Sequence, residues 1–580
     1  MTKSNGSEPA DAQDQQASHG PSRREFLRAS AAIAGTTLLN GCIVGGEDEM
    51  PVLAEAPAFL ANIRHLVVVM FENRSFDSLL GYLYSTSSAV PANWSPGWQV
   101  PPLPMQNGKQ QPFEGLWQFP GAAPQAASAC VGTAGCNTPA ASYQPVVAFP
   151  HNFPNCPANP APVPPAFVWN FPSTDPEEGL APTKAQLGKV VTSNGSGAPT
   201  AWDMGGFLDN YTNHLAKLPT PPSPVPIMGS YTPDQLPVLS GLAQNFAVFD
   251  HWFCAVPSET YCNRAFFHAS TSWGFVENGS SSDFAPLDGD VWTKWQSPPG
   301  FVSGNSIFDH LEKAKVPWSV YFGPPEKPGA DETQIFNVFS AVGLTGLVHY
   351  EVGKTYGPPA YQAAQPPVPE KQRFWPLTKF FTDVAAGSLP AYSFVEPVFG
   401  IFPGNPVLKG GHDFHPIGDV RDGEEVIRQI YGAIRSTAGT ANDYTKDTML
   451  LIVFDENGGT FDHVSPQAPV PAPPVTKPEG GFDFKALGVR VPAIAISSWT
   501  LSGTVVNQPM HHAAVINTLM RKFIYTATSK PYLTDRDKDL NGGDLGVAYN
   551  NPSGNTPWPW PATFDAPVSA PAVPVINCKN

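Results

Sequence analysis

A chain of 580 residues is too long for one small core, and with 42% hydrophobic residues it can bury a large one. Only 14% of its residues are charged, its net charge is −16, and its 67 prolines are roughly twice the usual share. This excludes charge-driven disorder and argues against nucleic acid or anionic membrane surfaces as partners, so any phosphate chemistry has to rest on a local cation.

Residues 1–20 are polar and unpatterned. Ser22-Arg23-Arg24-Glu25-Phe26-Leu27-Arg28, followed by a mildly apolar run over 29–41, has the twin-arginine export pattern. That run is too short to span a bilayer. It ends Leu39-Asn40-Gly41-Cys42, like a lipoprotein processing site with Cys42 as the lipidated residue. Plain cleavage to a soluble exported product is the alternative. Six cysteines then remain, and proximity suggests local bridges Cys130–Cys136 and Cys254–Cys262 in an oxidising compartment.

Residues 63–81 begin as a valine-rich apolar run, Leu66 to Phe71, without alternation. This reads as a strand buried on both faces. It switches abruptly to Glu72-Asn73-Arg74-Ser75-Phe76-Asp77. In open α/β sheets ligands bind at the carboxyl ends of the strands, and Glu72 and Asn73 both offer oxygen there. Residues 85–200 are rich in Pro, Gly, Ala, Ser and Asn, and read as an irregular lid beside the site. His151 within it either reaches the site or is a surface histidine. Trp94, Trp98, Trp117 and Trp169 either line a lipid or choline pocket or pack the loops.

Regular structure becomes dense from Ile227. A helix is expected from Pro233, capped by Thr232, with Leu236, Leu239 and Leu242 on one face. A short strand follows at 246–249. Residues 256–266 then read as a turn opening a helix, with Ser258, Thr260 and Tyr261 at its start. Helices are expected over 306–314, 377–386, 424–435 and 513–523, and strands over 318–322, 391–395, 448–454 and 491–496. Alternating strands and helices predict an α/β fold with a helix-flanked, mostly parallel sheet.

The strand at 448–454 ends in Asp455-Glu456-Asn457-Gly458-Gly459, then Phe461-Asp462-His463. Adjacent carboxylates at the end of a buried strand are costly without a cation. Glu72, Asn73, Asp455 and Glu456 together make an oxygen-rich set suited to a hard divalent metal. A hydroxyl at a helix start is a candidate nucleophile, since the helix N-terminus and a metal both stabilise an alkoxide and a bound phosphate. Ser258, Thr260 and Tyr261 all qualify. His412, His415, His463, His511 and His512 offer imidazoles to bind phosphate or protonate a leaving group.

These stretches together resemble the bacterial phosphoesterase family of phospholipases C and an acid phosphatase branch, and the plant non-specific phospholipases C. The resemblance rests on IRHLVVVMFENRSFDSLLG, MGSYTPDQLPVLSGLAQNFAVFDHWF, SETYCNR, DFHPIGDVRDGEEVIRQIYGAI, LLIVFDENGGTFDHV and GVRVPAIAIS, in that order. It implies an alkaline-phosphatase-like fold, with Glu72, Asn73, Asp455 and Glu456 at the metal. It further implies Thr260 as nucleophile, His415 and His463 as catalytic histidines, and Asn263, Arg264 and His512 at the substrate. Two departures stand out: Cys262 replaces the family's usual proline, and His511-His512-Ala513-Ala514 replaces a common Asp-His-Thr-Ser.

The expected organisation is an export signal over 1–41, a linker over 42–62, a catalytic domain over 63–549 and a proline-rich tail over 550–580. The protein is expected to be periplasmic, lipid-anchored at Cys42, or secreted. The expected activity is phospholipase C-like hydrolysis of a phosphodiester. A broad acid phosphatase and a non-catalytic exported binding protein are the alternatives.

Overall fold

The computed structural model describes residues 59–84, 102–116, 169–279, 305–323, 348–398, 411–525 and 532–551 with short gaps, together with Trp295, Thr345 and 560–561. The export signal, Cys42, Trp94, Trp98, Trp117, Cys130, Cys136, His151, Cys156, Thr232, Cys578 and nearly all of the tail lie outside the described residues.

The strands of the main sheet are β1 (His65–Phe71), β2 (Ala247–Phe249), β3 (Trp318–Phe322), β4 (Phe374–Pro376), β5 (Tyr392–Glu396), β6 (Thr448–Phe454), β7 (Ala493–Ile496) and β8 (Thr504–Val506). They lie in the order β8-β2-β7-β6-β1-β5-β3-β4. The two longest apolar runs, β1 and β6, lie at its centre, buried on both faces. They pair in parallel along their whole length, from His65↔Thr448 to Phe71↔Phe454. On its other side β1 runs parallel to β5, with Val69 level with Val395. Residues following Phe71, Phe454 and Val395 therefore emerge together at one edge of the sheet.

Flanking helices are α1 (Phe76–Leu80), α2 (Leu180–Leu187), α3 (Phe207–Leu215), α4 (Pro237–Asn245), α5 (Thr260–Ala269), α6 (Ile307–Lys313), α7 (Tyr350–Tyr356), α8 (Leu377–Ala386), α9 (Val420–Ser436) and α10 (Ala513–Leu519). The helix-flanked, mostly parallel sheet agrees with expectation. β7 alone breaks the parallel pattern, running antiparallel to both β6 and β2.

Several expectations need correction. The helix expected from Pro233 starts at Pro237, and Leu236 in the capping position makes no side-chain cap. Its first amides are met from elsewhere: Val238 N and Leu239 N donate to the Glu424 carboxylate of α9 at 2.7 and 2.8 Å. A buried tertiary carboxylate here replaces the local hydroxyl cap. The helix expected over 513–523 stops at Leu519 and passes into a π-turn over Met520–Ile524. The stretch expected to be an irregular lid contains α2 and a hairpin of Val190–Ser193 with Pro199–Trp202. Cys254 and Cys262 are both buried and form no bridge with each other. The Cys254 thiol instead donates to Val256 O at 3.3 Å.

Candidate active site

Because β1 and β6 end in register, Glu72 and Asp455 leave the sheet side by side. Asn73 follows in a left-handed backbone conformation, φ 54°, which turns its amide N–H toward Asp455 Oδ1 at 3.1 Å. Gly458, φ 57°, packs its Cα against the Asn73 carbonyl, where a Cβ would collide. These two turns hold four oxygen-bearing side chains, Glu72, Asn73, Asp455 and Glu456, in one buried place.

α5 brings the hydroxyl. Thr260 is its first residue, with Glu259 as N-cap. Thr260 Oγ1 lies 3.1 Å from Glu72 Oε2, its acceptor, and 3.3 Å from Asn73 Oδ1. Ser258 instead donates to Val276 O, and the Tyr261 ring packs edge-on to Trp295. Of the three candidate hydroxyls, Thr260 is the one set against the oxygen cluster.

One helical turn on, Arg264 enters the same cluster. Its guanidinium donates to Glu72 Oε1, to Asp455 Oδ2 at 3.0 Å and to Glu396 Oε1 at 3.4 Å. Arg264 was expected at the substrate; its contacts make it the counter-ion of three buried carboxylates. Asn263 was expected at the substrate too. Its amide is spent on its own loop, donating to Ser258 O at 2.7 Å and accepting from Val256 N at 3.0 Å. His512 was likewise expected at the substrate. It lies fully buried behind Asp455, with Nε2 donating to Asp455 O at 2.7 Å and Nδ1 accepting from Trp252 Nε1 at 3.2 Å. Burial pushes its pKa down to about 4, so it is a neutral support.

The carboxylates outnumber their cations. Burial and then Asp455 hold Glu72 well above the ordinary carboxylate range. Burial and then Glu178 and Asp455 do the same to Glu456, whose Oε1 has no hydrogen-bond partner. Arg264 answers Glu72, Asp455 and Glu396 but not Glu456. A donor set of crowded, buried carboxylate and amide oxygens with one such oxygen unpartnered fits a hard divalent cation.

His415 and His463 fall in two different clusters. His415 Nδ1 donates to Pro416 O at 3.0 Å, and the ring lies 3.6 Å from Asp175 and 3.7 Å from Glu178. Glu178 is held up at about 8 by burial, with His415 opposing and Asp175 adding to the rise. His463 Nδ1 lies 2.6 Å from Asp77 Oδ2, and Arg490 binds Asp77 Oδ1 at 2.9 Å and Asp462 Oδ1 at 3.0 Å. Both groups, Asp175–Glu178–His415 and Asp77–Asp462–His463, have ligand-like spacing. In the second, a guanidinium already supplies the positive charge. His463 thus belongs to a strut that ties α1 to the turn after β6.

Burial works against charge on His463, but Asp77 outweighs it and holds the pKa at about 9, above the ordinary 6.5. The folded state therefore binds this proton more tightly than the unfolded chain. The stabilisation is complete below pH 6.5 and is lost as pH rises through about 9. The urea midpoint should fall across that window, and His463→Gln should flatten the fall. An undiminished slope in the variant would remove His463 from this account.

Sequence reasoning missed Asp175, Glu178 and Glu396. Glu396 obeys the rule that found Glu72 and Asp455, an acidic residue directly after a buried apolar strand. Asp175 and Glu178 carried only a weaker signal, an acidic Asp-Pro-Glu-Glu-Gly ahead of a short helix. Trp169 packs beneath the Arg421 guanidinium, 5.0 Å from its ring centre, as a loop-packing residue.

The model of the phosphoesterase family matches residues 192–524. Non-specific phospholipase C1 of Arabidopsis thaliana is 30% identical over 329 residues, 54% of this chain and 50% of that protein. Non-specific phospholipase C6 of the same plant is 28% identical over 66% of this chain and 60% of its own length. The chain thus spans about half to three-fifths of these plant relatives. Phospholipase C B of Mycobacterium tuberculosis is 26% identical over 92% of this chain and 86% of its own. Among solved structures, a protein of the alkaline phosphatase superfamily from Vibrio parahaemolyticus overlaps 53% of this chain and 63% of its own, at 14% identity and a TM-score of 0.27. That overlap carries no weight beside the sequence match, which covers more than half of the chain and encloses Thr260, Arg264, His415, Asp455 and Glu456: the chain belongs to the phosphoesterase family.

Proposed function

We propose that this chain hydrolyses phosphodiesters in the manner of a phospholipase C, with Thr260 as nucleophile. The observation that carries this reading is the Thr260 hydroxyl, at a helix N-terminus, lodged between Glu72 and Asn73. The names of the relatives, phospholipases C, support the substrate class.

Glu72, Asn73, Asp455 and Glu456 are the residues that would hold a divalent cation. Such a cation supplies Lewis acidity and positive charge where phosphate would otherwise meet carboxylates. The remaining work belongs to side chains. Thr260 Oγ1 bonds to phosphorus as its proton passes to Glu72 Oε2, the acceptor it already faces. The phosphorus–oxygen bond to the alcohol breaks, and His415 protonates the departing oxygen. Water then displaces Thr260 from phosphorus, restoring the hydroxyl. Asp455 and Glu396 keep Arg264, and through it Glu72, in place.

A diester is favoured over a monoester by the relatives, which are named phospholipases C.

The test is a substrate panel on purified protein: phosphatidylcholine, a chromogenic phosphodiester and a chromogenic monoester, with and without chelator. Diesters should be hydrolysed at least about tenfold faster than the monoester, which corresponds to ~1.4 kcal/mol of barrier. Chelator should stop turnover and added divalent metal should restore it. Faster monoester hydrolysis moves the reading to an acid phosphatase. No hydrolysis of any of them, with metal resupplied across pH, moves it to a binding protein.

A further inference from the structure

Asp175 and Glu178 reach the site from a stretch whose sequence suggested only a lid. Asp175 Oδ1 lies 3.6 Å from His415 Nδ1, and Glu178 Oε1 lies 3.7 Å from Nε2. The three donor groups fall within 4.8 Å of one another. Both carboxylate oxygens are buried and without a hydrogen-bond partner. A buried carboxylate oxygen in that condition is costly unless a positive charge stands beside it.

Three positively charged or protonatable groups act on Asp175: His415 first, then His214, which lies 3.4 Å from Glu177, and Arg74, which donates to Phe414 O at 2.8 Å and Phe171 O at 2.6 Å. The ring of His415 is the one set against both acids. Its third acidic neighbour is Asp413, whose Oδ1 accepts from His415 N at 3.2 Å. With Nδ1–H donated to Pro416 O at 3.0 Å, the ring is fixed so that Nε2 is the atom beside Glu178 and the one able to give up a proton.

We propose that Asp175 and Glu178 are positioning residues that keep His415 as an imidazolium, ready to protonate the leaving alcohol. The proposal rests on the phosphodiesterase reading above. The step balances. The electron pair of the breaking phosphorus–oxygen bond goes to the alcohol oxygen, which takes the Nε2 proton. Neutral His415 then takes a proton from the water whose oxygen replaces Thr260 on phosphorus.

The experiment compares kcat/KM against pH for two diesters. Phosphatidylcholine releases an alkyl alcohol that must be protonated, whereas p-nitrophenyl phosphorylcholine releases a phenolate that needs no proton. Glu178→Gln and Asp175→Asn should each move the alkaline limb for the lipid to lower pH by about one unit, the size expected for losing one nearby opposite charge. At pH 8.5 the ratio of lipid to chromogenic kcat/KM should fall about tenfold, and Glu178→Asp should recover most of it. His415→Gln should lower that ratio by about a hundredfold.

If His415→Gln lowers the ratio but neither acid variant moves the limb, the inference fails and the reading stands. If His415→Gln slows both substrates equally, the acid role in the reading itself fails. Loss of one equivalent of bound Mn²⁺ in Glu178→Gln, measured on the metal-loaded full chain, also overturns the inference, because these residues would then be ligands.

Discussion

Thr260→Ala should lower kcat on the preferred phosphodiester by at least about a thousandfold, the scale on which nucleophile removal acts. The size follows from how many features converge on one atom. Thr260 Oγ1 sits at the start of the ten-residue α5, where the helix dipole favours negative charge. It also sits 3.1 Å from Glu72 Oε2, the acceptor we propose for its proton. Removing the hydroxyl deletes the bond-forming atom while leaving the helix intact, since alanine is a better helix former than threonine. Stability should change by no more than about 1 kcal/mol, the worth of one hydrogen bond. Thr260→Ser keeps the oxygen and should keep measurable turnover. A substrate labelled on phosphorus should leave its label on wild-type protein quenched in acid, and none on Thr260→Ala. Near-normal turnover by a folded Thr260→Ala protein sinks the assignment.

Arg264→Leu should cost about 3–5 kcal/mol of stability, the range for stripping a buried ion pair of one partner. The guanidinium is 1% exposed and serves Glu72, Asp455 and Glu396 at once. Leucine fills some of its volume and none of its charge. Glu72, already held high by burial and Asp455, would then have its folded-state pKa raised further above that of the unfolded chain. A raised folded pKa means the folded state binds more protons, so stability recovers as pH falls. Urea unfolding should therefore show a larger deficit at pH 8 than at pH 5. A deficit of under about 1 kcal/mol, or one independent of pH, would place the charge balance elsewhere.

The centre of the fold was legible because buried parallel strands are nearly continuous apolar runs. β1 and β6 announce themselves by composition, and the acids behind them by contrast. β8, only three residues long, has no such signal. The reversed β7 reads like any other buried strand, because direction depends on chain routing and not on side-chain pattern. The α4 start was missed for a related reason: its cap is Glu424, 186 residues away. Within the site, Thr260 was one of three equal candidates by residue type; the family resemblance picks it out, and so does the geometry at Glu72. Arg264 and Asn263 were legible as important, but what their side chains touch was not. A buried guanidinium and a substrate-facing one look the same in a string of letters. Asp175 and Glu178 were obscured by the proline-rich composition around them.

The central place of β1 has a consequence for the life of the chain before it is whole. The strand is made early, yet in the sheet it lies between β5 and β6, and Arg64 pairs with Asp447, 383 residues later. At about 5–20 residues per second, synthesis leaves His65–Phe71 waiting roughly 20–80 s for its second neighbour. Until β5 is made, which is most of that interval, a seven-residue apolar segment is without either partner, the kind of sequence that chaperones shield and that aggregates when they do not. Any truncated product ending before Thr448 keeps this exposed strand and lacks Asp455 and Glu456. It should be insoluble or degraded, so that protein found in solution is protein whose two halves have already met.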